Sequence, residues 1–397
     1  MLKKNRLFTP GPTPLLPAAQ AAMAAADVHH RTAAFRALYT RVLADLKTFV
    51  GTRNDVIVLA ASGTGAMEAA VTNLTNAGDR VLVLTAGKFG ERWRDLGRTY
   101  GCEVDVVSAP YGATFTLDAV RAALQPETRA IFLQATESST GARHDVRGVA
   151  ELARGSNALV VVDAITGLGT TALDVDAWGV DVIIGGSQKA LMLPPGLAYC
   201  GVSERAWQRM EQVSRPRYYF DLRKERKVAA RGESAFTPAI ALIAALGAAL
   251  DYLRSAGGGD LAAGRVLLVE NAETCAAMTR AAAGALGLKL FAASAPAGAL
   301  TAMVPPAGME AGKIVKAVRE RFGAVLADGQ GEMKGHLFRV AHIGYYDYLD
   351  TIGIIGALEQ VLAELGVKVE FGAGVAAAQR AYSEQHLALS MQHSAKA

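Results

Sequence analysis

The sequence has few of the residues that build disulfide frameworks, metal sites or membrane spans. Its 397 residues include three cysteines, and Cys102, Cys200 and Cys275 lie far apart with no CxxC pair, which argues against a disulfide framework or a zinc site. Residues 1–10 contain lysines but no apolar segment of the kind that a signal peptide requires. The longest apolar stretch, 239–250, is shorter than the roughly 20 residues of a membrane helix. We therefore expect a soluble, cytoplasmic protein with no bound metal.

The sequence also has only a small excess of positive over negative charge. The formal net charge is +4, and 20% of the residues are charged while 51% are hydrophobic. The basic residues of 223–227 alternate with Glu225 and are interpreted as a solvated face, and no basic run with interleaved aromatics suggests nucleic acid as a partner. The length and the apolar fraction allow two packed domains.

Short β-branched runs alternate with helical stretches through the first part of the chain. The β-branched runs are 56–60, 81–85, 104–107, 130–134, 159–163 and 180–184. Helical stretches such as 66–74, 117–124 and 146–154 lie between them. This alternation predicts an α/β fold in which a mostly parallel sheet lies between helices and ligands bind beyond the carboxyl ends of its strands.

The pattern changes after three consecutive glycines at 257–259. From there, short strands at 288–292, 299–304 and 337–340 alternate with helical runs at 261–283, 311–322 and 349–365. We expect a proline-rich N-terminal arm over 1–15, a large domain over 16–256 and a smaller C-terminal α/β domain over 257–397. The residues from Ala373 onward have a helical composition, but the pattern identifies no partner for them.

A glycine-rich turn, Ser62-Gly63-Thr64-Gly65, follows the run at 56–60 and begins a helix. Backbone N–H groups at such a helix N-terminus bind phosphate well. The turn lacks the Lys-Ser/Thr of a P-loop and the full GxGxxG spacing of a dinucleotide site. A tight turn that simply requires glycine is therefore the alternative interpretation.

Two ionisable residues follow apolar runs of the predicted sheet. Asp163 ends the run 159–163, where a helix cap is the alternative. Lys189 comes 26 residues later, just after the run 180–184, and by itself could be a surface lysine. A buried lysine has a shifted pKa and readily forms Schiff bases. The pair is the one that pyridoxal phosphate (PLP) requires, because the lysine holds the aldehyde while the aspartate keeps the pyridine nitrogen protonated.

Arg339 lies in an apolar run, 337–340, of the expected smaller domain. An arginine in a strand is usually an edge or ion-paired residue. The functional interpretation is a fork that binds a substrate carboxylate with two hydrogen bonds. His342 lies nearby and is interpreted as a structural histidine.

Taken together, several segments resemble the fold-type I, class V PLP-dependent aminotransferases of the alanine–glyoxylate and serine–pyruvate group. The most specific part is Gly-Ser-Gln-Lys-Ala at 186–190 with Pro-Pro-Gly at 194–196. The other matching segments are 8–13, 62–65, 87–92, 137–141, 162–165 and Arg339. The resemblance spans most of the chain and implies the PLP-transferase fold type I, with a seven-stranded type of sheet in the large domain. It also implies a homodimer with active sites at the subunit interface.

The resemblance implies a role for each matched residue. Lys189 would form the Schiff base with PLP and move the proton of the substrate Cα, and Asp163 would pair with the pyridine nitrogen. Arg339, together with Gly11 and Ser138, would bind the substrate. The other implied contacts with PLP are Ser62, Gly63, Thr64, Phe89, Ser138, Gln188 and, from the other subunit, Thr237.

Two positions depart from the family pattern. Phe89 stands where the animal members have a stacking tryptophan, and Ser234 stands where a phosphate-binding tyrosine is frequent. A further basic segment, His29-His30-Arg31, lies in the Ala-rich helical stretch 15–50, at a place where relatives approach the partner's active site. We hypothesise that His30 or Arg31 helps to choose the substrate side chain, with a plain subunit contact as the alternative.

The expected reaction is a ping-pong transfer of an amino group from alanine or serine to glyoxylate or pyruvate. Aspartate and ureidoglycine donors stay open, because a fold does not choose a substrate. A class V lyase or cysteine desulfurase typically needs a mobile catalytic cysteine, whereas Cys275 falls in a helical stretch. A role as a hydrogenase-associated subunit is also not supported, because the sequence has no Cys/His cluster that could bind nickel or an iron–sulfur cluster. A binding protein without activity is disfavoured because Lys189, Asp163 and Arg339 occur together.

Overall fold

The computed structural model describes residues 2–394. In chain order, its strands are β1 (Arg6–Leu7), β2 (Asp55–Leu59), β3 (Arg80–Thr85), β4 (Glu103–Ser108), β5 (Ala130–Gln134), β6 (Thr136–Glu137), β7 (Ala142–Arg143), β8 (Leu159–Asp163), β9 (Val182–Gly186), β10 (Ala198–Val202), β11 (Lys289–Leu290), β12 (Leu300–Val304), β13 (Ala324–Val325), β14 (Ala327–Asp328) and β15 (Phe338–Ala341). The helices are α1 (Pro17–Ala25), α2 (Ala33–Val50), α3 (Gly63–Leu74), α4 (Lys88–Thr99), α5 (Leu117–Ala123), α6 (Val146–Ala153), α7 (Val175–Trp178), α8 (Glu204–Glu211), α9 (Leu222–Ala229), α10 (Ile240–Ala256), α11 (Leu261–Ala285), α12 (Ala311–Phe322), α13 (Tyr348–Glu364) and α14 (Ala373–Ser394).

Of the described strands, seven form a large sheet in the order β2-β10-β9-β8-β5-β3-β4. The pairs β3/β4, β3/β5, β5/β8 and β8/β9 are parallel, and β10 runs antiparallel to both of its neighbours. This sheet confirms the predicted α/β fold. The sequence pattern predicts six of the strands and misses β10, a short run that contains Gly201 and follows a Pro-Pro-Gly turn.

The large sheet is buried on both faces. Along β8, Val160 and Val162 pack in one apolar cluster with side chains of α2 and α10. Leu159 and Val161 pack in a second cluster, with side chains of α3 and α8 on the other face. Alternate residues of a strand point to opposite faces, so a strand covered on both sides is apolar throughout. Asp163 is the residue at which this run ends.

Helices begin in two different ways in this fold. Thr32 and Asp145 each accept a hydrogen bond from the backbone N–H three residues later, at 3.3 and 2.8 Å, and so cap α2 and α6. Helix α3 begins after Ser62, whose side chain accepts no such bond, and α4 begins after Gly87, which has no side chain to accept one. Both of these helices start at the carboxyl edge of the large sheet, where other groups can use their N-termini.

A second sheet of four antiparallel strands has the order β11-β12-β15-β14. Its core contains Phe338 from β15, Ile314 from α12 and Leu358 from α13. Strand β1 pairs in parallel with β13, and Phe8 packs in the same core. The N-terminal segment therefore first joins the C-terminal part of the chain before it continues to the large sheet.

Two helical regions differ from the sequence-based interpretation. The stretch 15–50 is broken into α1 and α2, so that His29-His30-Arg31 lies in the connecting turn and not within a helix. The C-terminal helix α14 does have a partner, because Ala378 packs with Met278 and Ala282 of α11. The described residues of α14 that are buried are Gly374, Ala377 and Ala378, and such small residues give a weak apolar pattern along the chain.

The glycines at 257–259 end α10, as the sequence predicts. Gly258 and Gly259 have φ angles of +68° and +102°, which glycine adopts without strain. Among residues 2–394, no single helix is long and apolar enough to cross a membrane, and α10 and α11 pass that test only as a pair bent by 85°.

Candidate active site

The carboxyl ends of three neighbouring strands meet at one place on the large sheet. Strand β5 ends at Gln134 and β8 ends at Asp163, and these two residues are register partners. Strand β9 ends at Gly186, three residues before Lys189. Asp163 and Lys189 are buried, with 5% and 9% of their surface exposed. The sheet therefore brings the predicted carboxylate and the predicted amine to the same edge.

Lys189 is held under the N-terminal segment. Its Nζ donates a hydrogen bond to the carbonyl oxygen of Pro10 at 2.5 Å. Burial lowers the pKa of the Lys189 amine to about 8, the charge of Asp163 opposes this shift, and the charge of Arg339 adds to it. At pH 7 about a tenth of the amine is therefore uncharged, far more than for an ordinary lysine, and this is the form that attacks an aldehyde or accepts a proton.

Asp163 is desolvated but does not lack contacts. Its Oδ1 accepts a hydrogen bond from the backbone N–H of Ile165 at 2.9 Å. The pKa of Asp163 is raised to about 6, because burial and, to a smaller extent, the charge of Glu137 outweigh the Ile165 bond and the charges of Lys189 and Arg92, which lower it. A cationic partner would stabilise the charged form of such a buried carboxylate, because it compensates part of the solvation lost on burial.

The glycine-rich turn lies beside the segment that follows Asp163. A Cβ on Gly63 would lie 2.2 Å from Ile165 Cδ1, so these two segments approach each other closely. Ser62 is exposed and makes no capping bond, which leaves the N-terminus of α3 open. Arg92 donates a hydrogen bond to Thr64 Oγ1 at 2.9 Å. An uncapped helix N-terminus with an adjacent guanidinium is a suitable place for a phosphate group.

Phe89 lies in the first turn of α4 and is partly exposed. The guanidinium of Arg92 lies over its ring, at 4.7 Å from the ring centroid. Arg92 thus contacts both the predicted stacking residue and the predicted phosphate turn. Sequence reasoning gave Arg92 no role, although it falls within the matched segment 87–92.

Arg339 extends from β15 toward the large sheet and is buried. Its Nη1 donates to the carbonyl oxygen of Ser138 at 2.8 Å, and its Nη2 donates to the carbonyl oxygen of Asp328. Its Nε has no hydrogen-bond partner among residues 2–394. Burial lowers the pKa of Arg339 to about 10, and the charges of Asp328 and Glu137 oppose the shift. The guanidinium stays protonated at neutral pH and has N–H groups left for a carboxylate.

Two more predicted residues lie directly against Lys189. Gln188 is partly buried, and its Oε1 has no partner within the described part of the chain. Gly11 packs on the lysine side chain, since a Cβ at this position would lie 2.6 Å from Lys189 Nζ. Thr13 continues this contact by donating from Oγ1 to the Lys189 carbonyl at 3.0 Å. The contact with Gly11 places the N-terminal segment in the site.

The remaining predicted residues are elsewhere. Thr237 and Arg31 are both exposed, so a role for either one depends on a second subunit. His342 is buried, and its Nε2 lies 2.9 Å from Thr279 Oγ1, a contact that suits a structural histidine. In residues 2–394, no group of three His, Cys, Asp or Glu side chains is placed to hold a metal ion.

The matching family model is that of the class-V aminotransferases, which covers residues 18–273. The chain belongs to this family and has the PLP-transferase fold type I. It is accordingly an aminotransferase of a class whose cofactor is PLP.

Individual relatives carry different names. The small subunit of a soluble hydrogenase from Synechococcus is 39% identical over 389 residues, which is 96% of this chain and 100% of that protein. The L-aspartate–glyoxylate aminotransferase of Paracoccus denitrificans is 32% identical over 97% of this chain and 98% of its own length. Among solved structures, the alanine–glyoxylate aminotransferase of Nostoc has a TM-score of 0.84, at 30% identity over 91% of this chain and 96% of that one.

The residues of this chain fit the cofactor of the family. Lys189 offers an amine with a lowered pKa, and Asp163 offers a desolvated carboxylate. The N-terminus of α3 is open for a phosphate, and the buried Gln188 Oε1 is unpartnered within the described residues. These groups match the aldehyde, the pyridine nitrogen, the phosphate and the polar rim of PLP.

Proposed function

We propose that this chain moves the amino group of alanine or serine to glyoxylate or pyruvate with PLP as its cofactor. One observation carries the proposal: Lys189 and Asp163 are buried together at the carboxyl edge of the large sheet, and Arg339 points to the same place from the smaller sheet. The arrangement provides an amine, an anion for a pyridine nitrogen and a cation for a substrate carboxylate close enough for the charges of Asp163 and Arg339 to act on Lys189.

Specific residues would hold PLP. Asp163 would face the pyridine nitrogen, Lys189 the aldehyde, and the turn at 62–64 the phosphate, with Phe89 on the ring. Gln188 and Ser138 would border the ring and its hydroxyl. When bound, PLP supplies an aldehyde that condenses with amines and a ring that withdraws electrons from the substrate Cα.

Lys189 would carry the proton. Its Nζ has a pKa lowered to about 8 by burial, so the amine can accept a proton near neutral pH and return it. The contact with Pro10 fixes Nζ, and the Thr13 bond fixes the backbone of the same residue. A base held at both ends stays in one position during the transfer.

Arg339 would bind the α-carboxylate of the donor. Neither cation next to Phe89 is assigned to a second substrate carboxylate, because Lys88 pairs with Glu91 at 2.9 Å and Arg92 is directed to the phosphate turn by its bond to Thr64. This favours a small donor without a second carboxylate, in agreement with the name of the Nostoc protein. An aspartate donor, as in the name of the Paracoccus protein, is the second candidate.

We further propose a homodimer with active sites at the interface. Thr237 is exposed and would reach the phosphate of the partner, and the neighbouring Tyr218 and Tyr219 are 74% and 43% exposed. Exposed tyrosines that lie side by side are enriched at protein interfaces. A cytoplasmic location, which is expected from the cysteine content, belongs to the same proposal.

A lyase or desulfurase is not favoured by the cysteines. Burial raises the pKa of Cys200 to about 12 and that of Cys275 to about 11, and burial also raises the pKa of Cys102. A catalytic thiol needs the opposite shift, since the thiolate is the nucleophile. Cys200 lies within β10 and Cys275 within α11, neither of which is a mobile loop.

Separate half-reactions test the proposal. The purified protein is loaded with PLP, and alanine, serine, aspartate or ureidoglycine is added alone while the visible absorption is followed. We expect alanine or serine to bleach the band and glyoxylate to restore it. If no donor bleaches the band while pyruvate or alanine accumulates from serine or cysteine, the chain is a lyase and the proposal is wrong.

A further inference from the structure

Glu137 is a buried carboxylate that none of the roles above uses. It lies at the end of β6, with 0% of its surface exposed. Its Oε2 accepts hydrogen bonds from the backbone N–H groups of Phe89 and Gly90, at 3.0 and 3.2 Å. Its Oε1 accepts from the backbone N–H and the Oγ of Ser139, at 3.1 and 2.5 Å. One carboxyl group thus connects two segments that are 48 residues apart.

Burial raises the pKa of Glu137, but its hydrogen bonds from Ser139, Gly90 and Phe89 oppose that shift and suit the ionised form of the carboxyl group. Four hydrogen-bond donors face its two oxygens, and a protonated carboxyl would direct its own O–H against one of them. The N-terminus of α4 also favours a negative charge in this place. A glutamine would keep the shape of the side chain but would present an NH₂ group to donors on one side.

Glu137 takes the place of the cap that α4 lacks. The residue before this helix is Gly87, which has no side chain to cap it, and Ser139 Oγ accepts from the N–H of Lys88 at 3.2 Å. A Cβ on Gly87 would lie 2.5 Å from the Cδ of Glu137, so the carboxyl group packs directly on the helix start. The first turn of α4, including Phe89, is therefore fixed by the turn at 137–140.

The same turn also holds the predicted substrate arginine. The carbonyl oxygen of Ser138, the residue after Glu137, accepts the 2.8 Å hydrogen bond from Arg339 Nη1. Phe89 is connected to Glu137 on one side, and Arg339 is connected to Ser138 on the other. The positions of the two residues thus depend on one turn.

We propose that Glu137 is a positioning residue that fixes Phe89 and Arg339 relative to each other, and thereby aligns the cofactor ring with the substrate carboxylate. The proposal rests on the proposed function for the meaning of these two positions. In this role Glu137 would act through the backbone of α4 and through Ser138, since both of its oxygens already accept hydrogen bonds from the chain.

The chain provides a matched control for the test. Glu359 is also buried, and its carboxylate accepts hydrogen bonds from the backbone N–H groups of Gly372, Gly374 and Val375, at 2.8, 2.8 and 3.1 Å. It caps the start of α14, and none of its donors belongs to the candidate site. Glu359→Gln therefore reproduces the loss of a buried capping carboxylate without touching Phe89 or Arg339.

The 397-residue chain is measured first without PLP. In Glu137→Gln, hydrogen exchange at the amides of Phe89 and Gly90 should become faster, whereas in Glu359→Gln the faster exchange should be confined to residues 372–375. Exchange does not require turnover. This part of the test therefore decides whether Glu137 fixes α4 even if the chain transfers no amino group.

The PLP-loaded proteins are compared next. For Glu137→Gln we expect PLP affinity to fall about tenfold, as for other residues that orient a site through their hydrogen bonds. The visible circular dichroism of bound PLP should change, and the KM for the donor should rise more than kcat falls. Glu359→Gln should keep the wild-type values. Ser139→Ala, which removes one donor to Glu137 and the acceptor of the Lys88 N–H, should show the same changes to a smaller extent.

The outcomes are distinct. If the Phe89 and Gly90 amides exchange as in wild type and PLP affinity and dichroism are unchanged in both Glu137→Gln and Ser139→Ala, the inference is overturned. If Glu137→Gln fails to fold, Ser139→Ala decides the question on the same readouts. If wild type binds PLP but transfers no amino group, the proposed function is wrong. The exchange and dichroism results still decide whether Glu137 is a positioning residue.

Discussion

Lys189 Nζ donates a hydrogen bond to the carbonyl oxygen of Pro10, over a sequence separation of 179 residues. The same N-terminal segment pairs with the smaller sheet through β1 and β13. It therefore connects the C-terminal part of the fold with the reactive lysine. Pro10 is not a residue that the sequence singles out for this role, because any residue can offer its carbonyl oxygen.

Gly11→Ala should disturb the lysine. The new Cβ would lie 2.6 Å from Nζ, and Gly11 has a φ of +155°, which side chains rarely adopt. We expect PLP affinity to fall at least about tenfold, measured by titration of the apoprotein. Gly284→Ala is the control, since nothing lies within 4 Å of a Cβ there. Equal PLP affinities in the two variants would show that Gly11 is not needed for the lysine contact.

Asp163→Ala should lower kcat for amino transfer by about a hundredfold or more, because the ring nitrogen of PLP loses its anionic partner. Asp181→Ala is a matched control. Asp181 is also a buried carboxylate, but it precedes β9, at the amino end of the parallel strands. Steady-state kinetics and thermal unfolding are compared, and Asp181→Ala should lose stability but keep kcat. A near-normal kcat in Asp163→Ala contradicts the assigned role.

Arg339→Lys should act mainly on substrate binding. Lysine keeps the positive charge but loses the planar fork, and charged hydrogen bonds of this kind correspond to about tenfold to a hundredfold in binding. We expect the KM for the amino donor to rise by that factor, with a smaller change in kcat. A donor KM equal to that of wild type would remove Arg339 from the substrate site.

The pH dependence of PLP uptake reports on Lys189. Only the uncharged amine condenses with the aldehyde, and burial lowers the pKa of Lys189 from its ordinary 10.5 to about 8. The rate of PLP incorporation into the apoprotein should therefore rise from about pH 7 to about pH 9 and then level off. Nα-acetyl-lysine, in which only the side-chain amine is free, serves as the unburied reference. A protein profile that continues to rise as the reference does would contradict the lowered pKa.

Arg31→Ala tests the hypothesis about the basic turn before α2. Arg31 is exposed, and its backbone N–H donates to His29 Nδ1 at 3.3 Å. If its guanidinium reaches the partner's site, the ratio of kcat/KM for alanine to that for serine and for aspartate should change. Arg53→Ala is the control, since Arg53 is also exposed and lies outside this turn. An unchanged ratio leaves Arg31 as a plain surface or interface residue.

The large sheet can be predicted from the sequence, and so can the positions of the lysine and the aspartate. Asp163 ends one buried strand and Lys189 follows another. Apolar runs of about five residues mark the strands, and the first ionisable residue after such a run must lie at the sheet edge. Lys189 and Asp163 are found in this way. Arg339 is found because a charged residue stands out within an apolar strand.

Other parts of the site cannot be predicted from the pattern of residue types along the sequence. Glu137 binds backbone N–H groups 48 residues away, and such a contact does not depend on which side chains those residues carry. Pro10 acts through its carbonyl oxygen, and Arg92 acts through contacts with Thr64 and Phe89 that arise only when α3 and α4 begin side by side. The partner of α14 is hidden for a similar reason, since alanines pack well but give a weak apolar signal.

The most direct test of the account is to locate PLP on the chain. The PLP-loaded protein is reduced with borohydride, which fixes PLP on the amine that holds it, and the digested peptides are mapped by mass spectrometry. The account predicts the added mass on Lys189 in the wild type, and no stoichiometric labelling in Lys189→Ala. Stoichiometric labelling of a different lysine, or a wild type that takes up no PLP, would contradict the central claim.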